Sequence, residues 1–151
     1  MFINFTHSDF GAFIMSTLEL PAKIENMETL MTFVSDRARA LGFSAKRIKE
    51  IELATEEALV NIINYAYKDC DGTIRISCSD EMPSHLIIRI EDYGAAFDVL
   101  SLSDPDITCS LTDRAVGGLG VFLIRKLMDD VTYSRQDERN ILTLFVRLPE
   151  A

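Results

Sequence analysis

The feature that most constrains this chain is a set of apolar residues at three- and four-residue steps: Ile48, Ile51, Ala54, Ala58, Ile62 and Ala66. That spacing lays one apolar stripe along a long amphipathic helix, which has to bury the stripe against a second layer. Ser44 stands where a hydroxyl can cap the helix start. A second helical pattern runs from about Ile24 to Leu41, with Leu30, Phe33, Val34, Arg37 and Leu41 near one face, and Gly42 is a natural stop.

Around these helices the period changes to two. A strand is predicted around Ser16 to Leu20, closed by Pro21. Asp71-Gly72 turns the chain into Thr73 to Ser79, where Ile74, Ile76 and Cys78 alternate with polar neighbours. After a Pro83-Ser84 turn, Leu86, Ile88 and Ile90 alternate through His85 to Asp92, which predicts an antiparallel partner strand. Periodicity disappears from Val99 to Val116, a stretch with Pro105 and many Ser, Thr and Asp residues, and a long loop over a site is expected there. A helix from roughly Gly118 to Met128 follows, then strands near Val131 to Arg135 and Ile141 to Leu148 joined by a charged turn. Helices first, with hairpins between and after, predict an α+β sandwich.

With 151 residues and no repeat or linker, residues 15–151 read as a single domain. Residues 1–14 read as an extra strand or an upstream extension. The excess of 24 acidic over 15 basic residues, a net charge of -9, sets a repelling field for a nucleic-acid backbone. No apolar run approaches the length of a membrane span. Direct nucleic-acid and membrane partners are therefore not expected. Cys70, Cys78 and Cys109 are odd in number and show no C-x-x-C spacing, so neither a disulfide framework nor a zinc site is indicated, and a cytoplasmic protein is expected.

Three short motifs carry candidate chemistry. Glu56 and Glu57 lie about 100° apart around a helix axis, so only one can share a face with Asn61, Asn64 and Lys68. Glu57 is that residue, and Glu56 points to solvent. A carboxylate and an amide one turn apart at the edge of a core can hold a hydrated Mg²⁺ and orient a nucleophile, although a solvated helix edge has the same pattern. Asp92 is in phase with Leu86, Ile88 and Ile90 and so faces inward, where it needs a donor such as the exocyclic amine of adenine. Gly94 beyond it would let the backbone approach a flat base, and a plain Asp-x-Gly turn is the alternative. Gly117-Gly118-Leu119-Gly120 opens a helix whose free N–H groups suit an anion, or marks a flexible joint. It matches neither the G-x-x-x-x-G-K-[ST] loop nor a clean G-x-G-x-x-G.

None of the three motifs identifies a function alone; their order and spacing do. Glu-x-x-x-Asn on a long helix, Asp-x-Gly after a strand, a lid-length loop and a glycine-rich helix start resemble the ATP-binding domain of the GHKL superfamily, in its branch of bacterial anti-sigma-factor serine kinases. The resemblance runs through Glu57-Ala58 to Asn61 and Ala66-Tyr67, Asp92-Tyr93-Gly94 to Phe97-Asp98, and Gly117 to Ile124 with Arg125-Lys126-Leu127-Met128-Asp129. It covers about Leu18 to Leu148.

That resemblance implies a two-layer α/β sandwich of the Bergerat type, with a mixed, mostly antiparallel sheet covered on one face by about three helices. It implies ATP and Mg²⁺ as cofactors. Asn61 would ligand the Mg²⁺, Glu57 would act as catalytic base on a serine or threonine hydroxyl, and Asp92 would read adenine with Gly94, Ala96 and Phe97 beside it. Gly117, Gly118, Leu119 and Gly120 would wrap the phosphates under the Val99 to Val116 lid. Arg114 would reach the terminal phosphate, and Thr143 would lie near the base. The implied function is a serine/threonine protein kinase acting on an anti-anti-sigma-type, STAS-like protein and also sequestering a sigma factor. The alternative is a nucleotide-gated binding module that sequesters its partner without phosphoryl transfer. Relatives of this kind are commonly dimers, which leaves a homodimer open. Tyr65 stands where many relatives have His, a departure that bears on that residue's role and not on the nucleotide site.

Overall fold

Ser44 caps the long helix as its position predicts: its side-chain oxygen accepts the backbone N–H of Arg47 at 3.2 Å. In the computed structural model, which describes residues 4–7, 13–67, 70–96, 98–101 and 118–150, this helix is α2 (Ala45–Asn61), preceded by α1 (Met27–Ala40). Strands β1 (Asn4–His7) and β2 (Ile14–Pro21) come before the helices, and β3 (Thr73–Ser79) and β4 (His85–Asp92) after them. A 3₁₀ turn (Val99–Ser101), α3 (Gly118–Leu127), β5 (Asp130–Gln136) and β6 (Arg139–Arg147) complete the order. The rest of the expected lid lies outside the described residues.

The six strands form one sheet in the order β1-β2-β3-β4-β6-β5. Every pairing among them is antiparallel, so among the described residues the sheet contains no parallel pair where a mixed one was expected. Alternation sorts the two faces. Leu18, Ile76, Ile88, Ile90 and Leu144 point inward and form one core with Leu30 and Val34 of α1, Ile51 and Leu59 of α2, and Ile124 of α3. The opposite face carries cross-strand ion pairs, Arg139 with Glu91 at 3.0 Å and Arg75 with Glu19 at 3.5 Å.

The helical pattern predicted through Ala66 is regular only to Asn61. Residues Ile62–Ala66 form a π-helical turn, whose wider loop changes the phase of the side chains beyond Asn61. The polar stripe expected from Glu57 through Asn64 therefore breaks: Asn64 is exposed, and Lys68 lies outside the described residues. The end of this turn anchors the segment after β4, where the Ala95 N–H donates to the Ala66 carbonyl at 3.2 Å. Gly94 makes that approach feasible, because a Cβ there would sit 2.4 Å from the Ala66 oxygen. A second tie runs through Tyr67, whose hydroxyl donates to the Thr73 carbonyl and accepts the Tyr93 N–H, each at 2.7 Å.

At the far end, Arg47 joins α2 to the end of α3 by donating to the Leu127 carbonyl and to Asp129 (2.9 Å). Burial works to raise the Asp129 carboxyl, but the Arg147 N–H and the Arg47 guanidinium outweigh it and hold it below the usual range. The charged turn predicted before the last strand is Asp137-Glu138, with φ of 51° and 63° at the two residues. Both are left-handed, as the two-residue hairpin turn requires.

Candidate functional site

A cavity open to solvent, with about 510 Å³ of space between its walls and the opening, lies between the C-terminal half of α2 with its π turn, α3, and the inner face of the sheet. Ala58, Ile62, Ala66, Ile90, Ile124 and Leu142 give it apolar walls. Asn61, Asp92, Tyr133 and Asn140 bring polar groups into it. An apolar cleft with a few convergent polar groups suits a flat organic ligand with a polar edge.

Asp92 ends β4 on the inner face, as its phase predicts, and is 4% exposed. Its Oδ1 accepts the Gly94 N–H at 2.8 Å and the Asn140 amide at 3.0 Å. Among the described residues no protein donor meets Oδ2. Burial pushes the carboxyl up, against the opposing pull of Asn140, the Gly94 N–H and the Arg135 guanidinium.

Glu57 is half-buried and Glu56 exposed, the division that the helix geometry predicts. The Glu57 carboxylate meets the start of α3 outside the apolar walls: a Cβ on Gly120 would lie 2.5 Å from its Oε2. Burial and then the neighbouring charge of Glu56 raise the Glu57 carboxyl. One turn further along α2, Asn61 faces the cavity, and its side chain makes no hydrogen bond among the described residues. The Asn61 amide oxygen is a hard oxygen donor of the kind Mg²⁺ accepts when waters and ligand phosphates fill the rest of its shell.

The other predicted residues divide. Gly118 is the first residue of α3, Leu119 is exposed, and Gly120 is buried against Glu57. The Cβ direction of Gly94 points to Ala66 and not to the cavity, so its smallness serves the joint between α2 and β4. Ala96 is exposed, and its neighbour Ala95 lines the cavity instead. Phe97, Arg114 and Gly117 lie outside the described residues. Thr143 is not brought to the cavity: it is out of phase with Leu142 and Leu144, and faces the side of the sheet away from the helices, opposite Arg89 and Thr132.

The polar residue that β6 does bring to the cavity is Asn140, directly across from Asp92 in the β4–β6 register. It lies one residue before the strand expected at Ile141 to Leu148 and is not among the residues expected at the site. The alternation that placed Asp92 inward applies equally to Asn140, Leu142, Leu144 and Val146, and would have found it.

The fold and this cavity define a class: an α+β sandwich with a cavity between an antiparallel sheet and the helices covering it. Residues 20–146 match the family model described as the histidine kinase-like ATPase domain, and the chain belongs to that family. It is 34% identical over 120 residues to a protein of Listeria monocytogenes named serine-protein kinase RsbW, covering 76% of each chain. A Bacillus cereus protein of the same name is 30% identical over 129 residues, covering 83% of this chain and 80% of the relative. Among solved structures, the blue-light activated histidine kinase of Erythrobacter litoralis EL346 shares the fold with a TM-score of 0.52 at 16% identity, over 83% of this chain and 40% of that one.

Proposed function

We propose that this protein is a serine/threonine protein kinase of the anti-sigma type, which takes Mg-ATP in the cavity and passes the γ-phosphoryl group to a hydroxyl of an anti-anti-sigma, STAS-like partner. The observation that carries this reading is the position of Glu57 on α2, one turn before the cavity-facing Asn61 and in contact distance of Gly120 on the glycine-rich start of α3. The names of the Listeria and Bacillus relatives support it. A sigma factor, which the protein would sequester, is the second partner proposed.

In this reading the adenine ring lies between Ile62, Ile90 and Leu142 and donates its exocyclic amine to Asp92 Oδ2. Asn61 would hold Mg²⁺, which would neutralise charge between the phosphates. The start of α3 offers backbone N–H groups to the phosphate oxygens. Glu57 faces that helix start, where the partner hydroxyl has to arrive. As the new Oγ–Pγ bond forms and the bond from Pγ to the β,γ-bridging oxygen breaks, the hydroxyl proton passes to Glu57 and ADP leaves. A carboxylate whose affinity for protons is raised by burial is a better acceptor than an exposed one.

The test is transfer itself. Purified protein incubated with Mg²⁺, γ-labelled ATP and a purified STAS-like partner is expected to place label on a partner serine or threonine. Tight ATP binding with no label on any such partner would replace this reading with the gated binding module.

The contact between Gly120 and Glu57 makes a separate prediction. In Gly120→Ala the new methyl meets only the end of a flexible side chain, so the helix keeps its place and gains up to about 1 kcal/mol of helix propensity. The Glu57 carboxylate has to move aside. The thermal midpoint is expected to hold or rise while the transfer rate falls by roughly 100-fold, the scale for misplacing a reacting group by an ångström. Calorimetry and a single-turnover assay on the same preparation check both halves.

A further inference from the structure

Asn140 has every polar capacity of its side chain engaged, although it is only 6% exposed. Its amide nitrogen donates to Asp92 Oδ1 at 3.0 Å and to the Ala95 carbonyl at 2.9 Å. Its Oδ1 accepts the Tyr133 hydroxyl at 2.6 Å and the Arg135 guanidinium at 2.9 Å. With two acceptors on one side and two donors on the other, the orientation of the amide is determined. Arg135 also donates to the Gly94 carbonyl at 3.1 Å. The β5–β6 hairpin thus grips both the carboxylate that ends β4 and the segment that follows it.

We propose that Asn140 is the positioning residue of the base-recognition site: it occupies Asp92 Oδ1, turns Oδ2 toward the cavity, and so makes the protein select a purine carrying a 6-amine. The inference rests on the nucleotide reading above. Because both N–H groups of Asn140 are already bound, it offers no donor to a 6-oxo purine. An ionised Asp92 held in one orientation repels a 6-oxo edge and accepts a 6-amino edge. Without Asn140, Asp92 keeps only the Gly94 N–H and can swing away from the cavity.

The experiment measures the affinities of ATP and of inosine triphosphate, which differs at the 6-position, for the wild type and for Asn140→Leu. Wild type is expected to prefer ATP by about tenfold or more, and the leucine variant to bind the two within about twofold. A purely structural role would weaken both nucleotides together and leave their ratio unchanged, and that result overturns the proposal. Wild type that does not distinguish the two nucleotides overturns the reading of Asp92 beneath it as well.

Asn140→Asp, which keeps the shape and the acceptor oxygen, provides the second variant if the leucine form does not fold. Its carboxylate faces Asp92 from β6, with Arg135 and Tyr133 of β5 and Tyr67 as the other titratable groups around the pair. Two carboxyl groups this close share a proton on acidification. The preference for ATP is therefore expected to be lost where both carboxyls are ionised and recovered on acidification. A preference equal to that of wild type throughout overturns the proposal.

Discussion

Glu57→Gln is expected to lower phosphoryl transfer by about 10²- to 10⁴-fold, the usual contribution of a positioned general base, while ATP affinity stays within about twofold of wild type. Glutamine keeps the shape that packs against Gly120 and removes only the ability to accept a proton. Glu57 lies outside the apolar walls proposed to receive the base, so the contacts made to the base stay the same. The pH profile adds a second reading of the same group. Burial and Glu56 raise the Glu57 carboxyl, so wild-type activity is expected to rise with pH through a limb above the ordinary carboxylate range. That limb is absent from whatever activity the variant retains. Transfer at the wild-type rate would remove Glu57 from the mechanism.

The second large effect is expected at Asp92→Asn, and its two consequences have opposite signs. The asparagine oxygen can still accept the Gly94 N–H and the Asn140 amide, so the local structure survives. In place of Oδ2 the variant presents an amide N–H₂ that confronts the adenine amine donor to donor. Loss of a hydrogen bond to a charged group costs about 1.5–3 kcal/mol, or roughly ten- to hundredfold in ATP affinity. Stability moves the other way. The Asp92 carboxyl is raised in the folded state, chiefly by burial, so the folded protein holds that proton more tightly than the unfolded chain. This contribution is fully present below the unfolded carboxyl value and is lost as pH rises through the folded one. At neutral pH the wild type therefore carries a penalty that the variant lacks. Its thermal midpoint without ligand is expected to equal or exceed that of wild type, with the gap widening as pH rises across that window. A variant that binds ATP as tightly as wild type would take Asp92 out of base recognition.

The legible parts of this molecule are those set by local periodicity. Three- and four-residue steps located α1 and α2, two-residue steps located β3 and β4, and Ser44 marked a helix start that its hydroxyl caps. The same periods separated Glu57 from Glu56 and turned Asp92 inward. Thr143 obeys the same parity: its strand phase directs it to the face away from the helices and directs Asn140 to the cavity. Gly94 shows a different gap. Its flexibility invited a ligand, but the atom it makes room for is the Ala66 carbonyl, and that meeting depends on where the helical layer sits over the end of β4.

Sequence periodicity alone thus specified which faces are apolar, where the helices begin, and which of two adjacent acids shares a face with Asn61, because each is a property of a repeating backbone unit. Three features belong to the tertiary structure: the π turn after Asn61, the contact of Gly120 with the Glu57 carboxylate, and the Asn140 grip on Asp92. The π turn interrupts the helical repeat itself, and the other two join residues on different elements whose meeting depends on packing depth and sheet register, so no repeat along the chain encodes them.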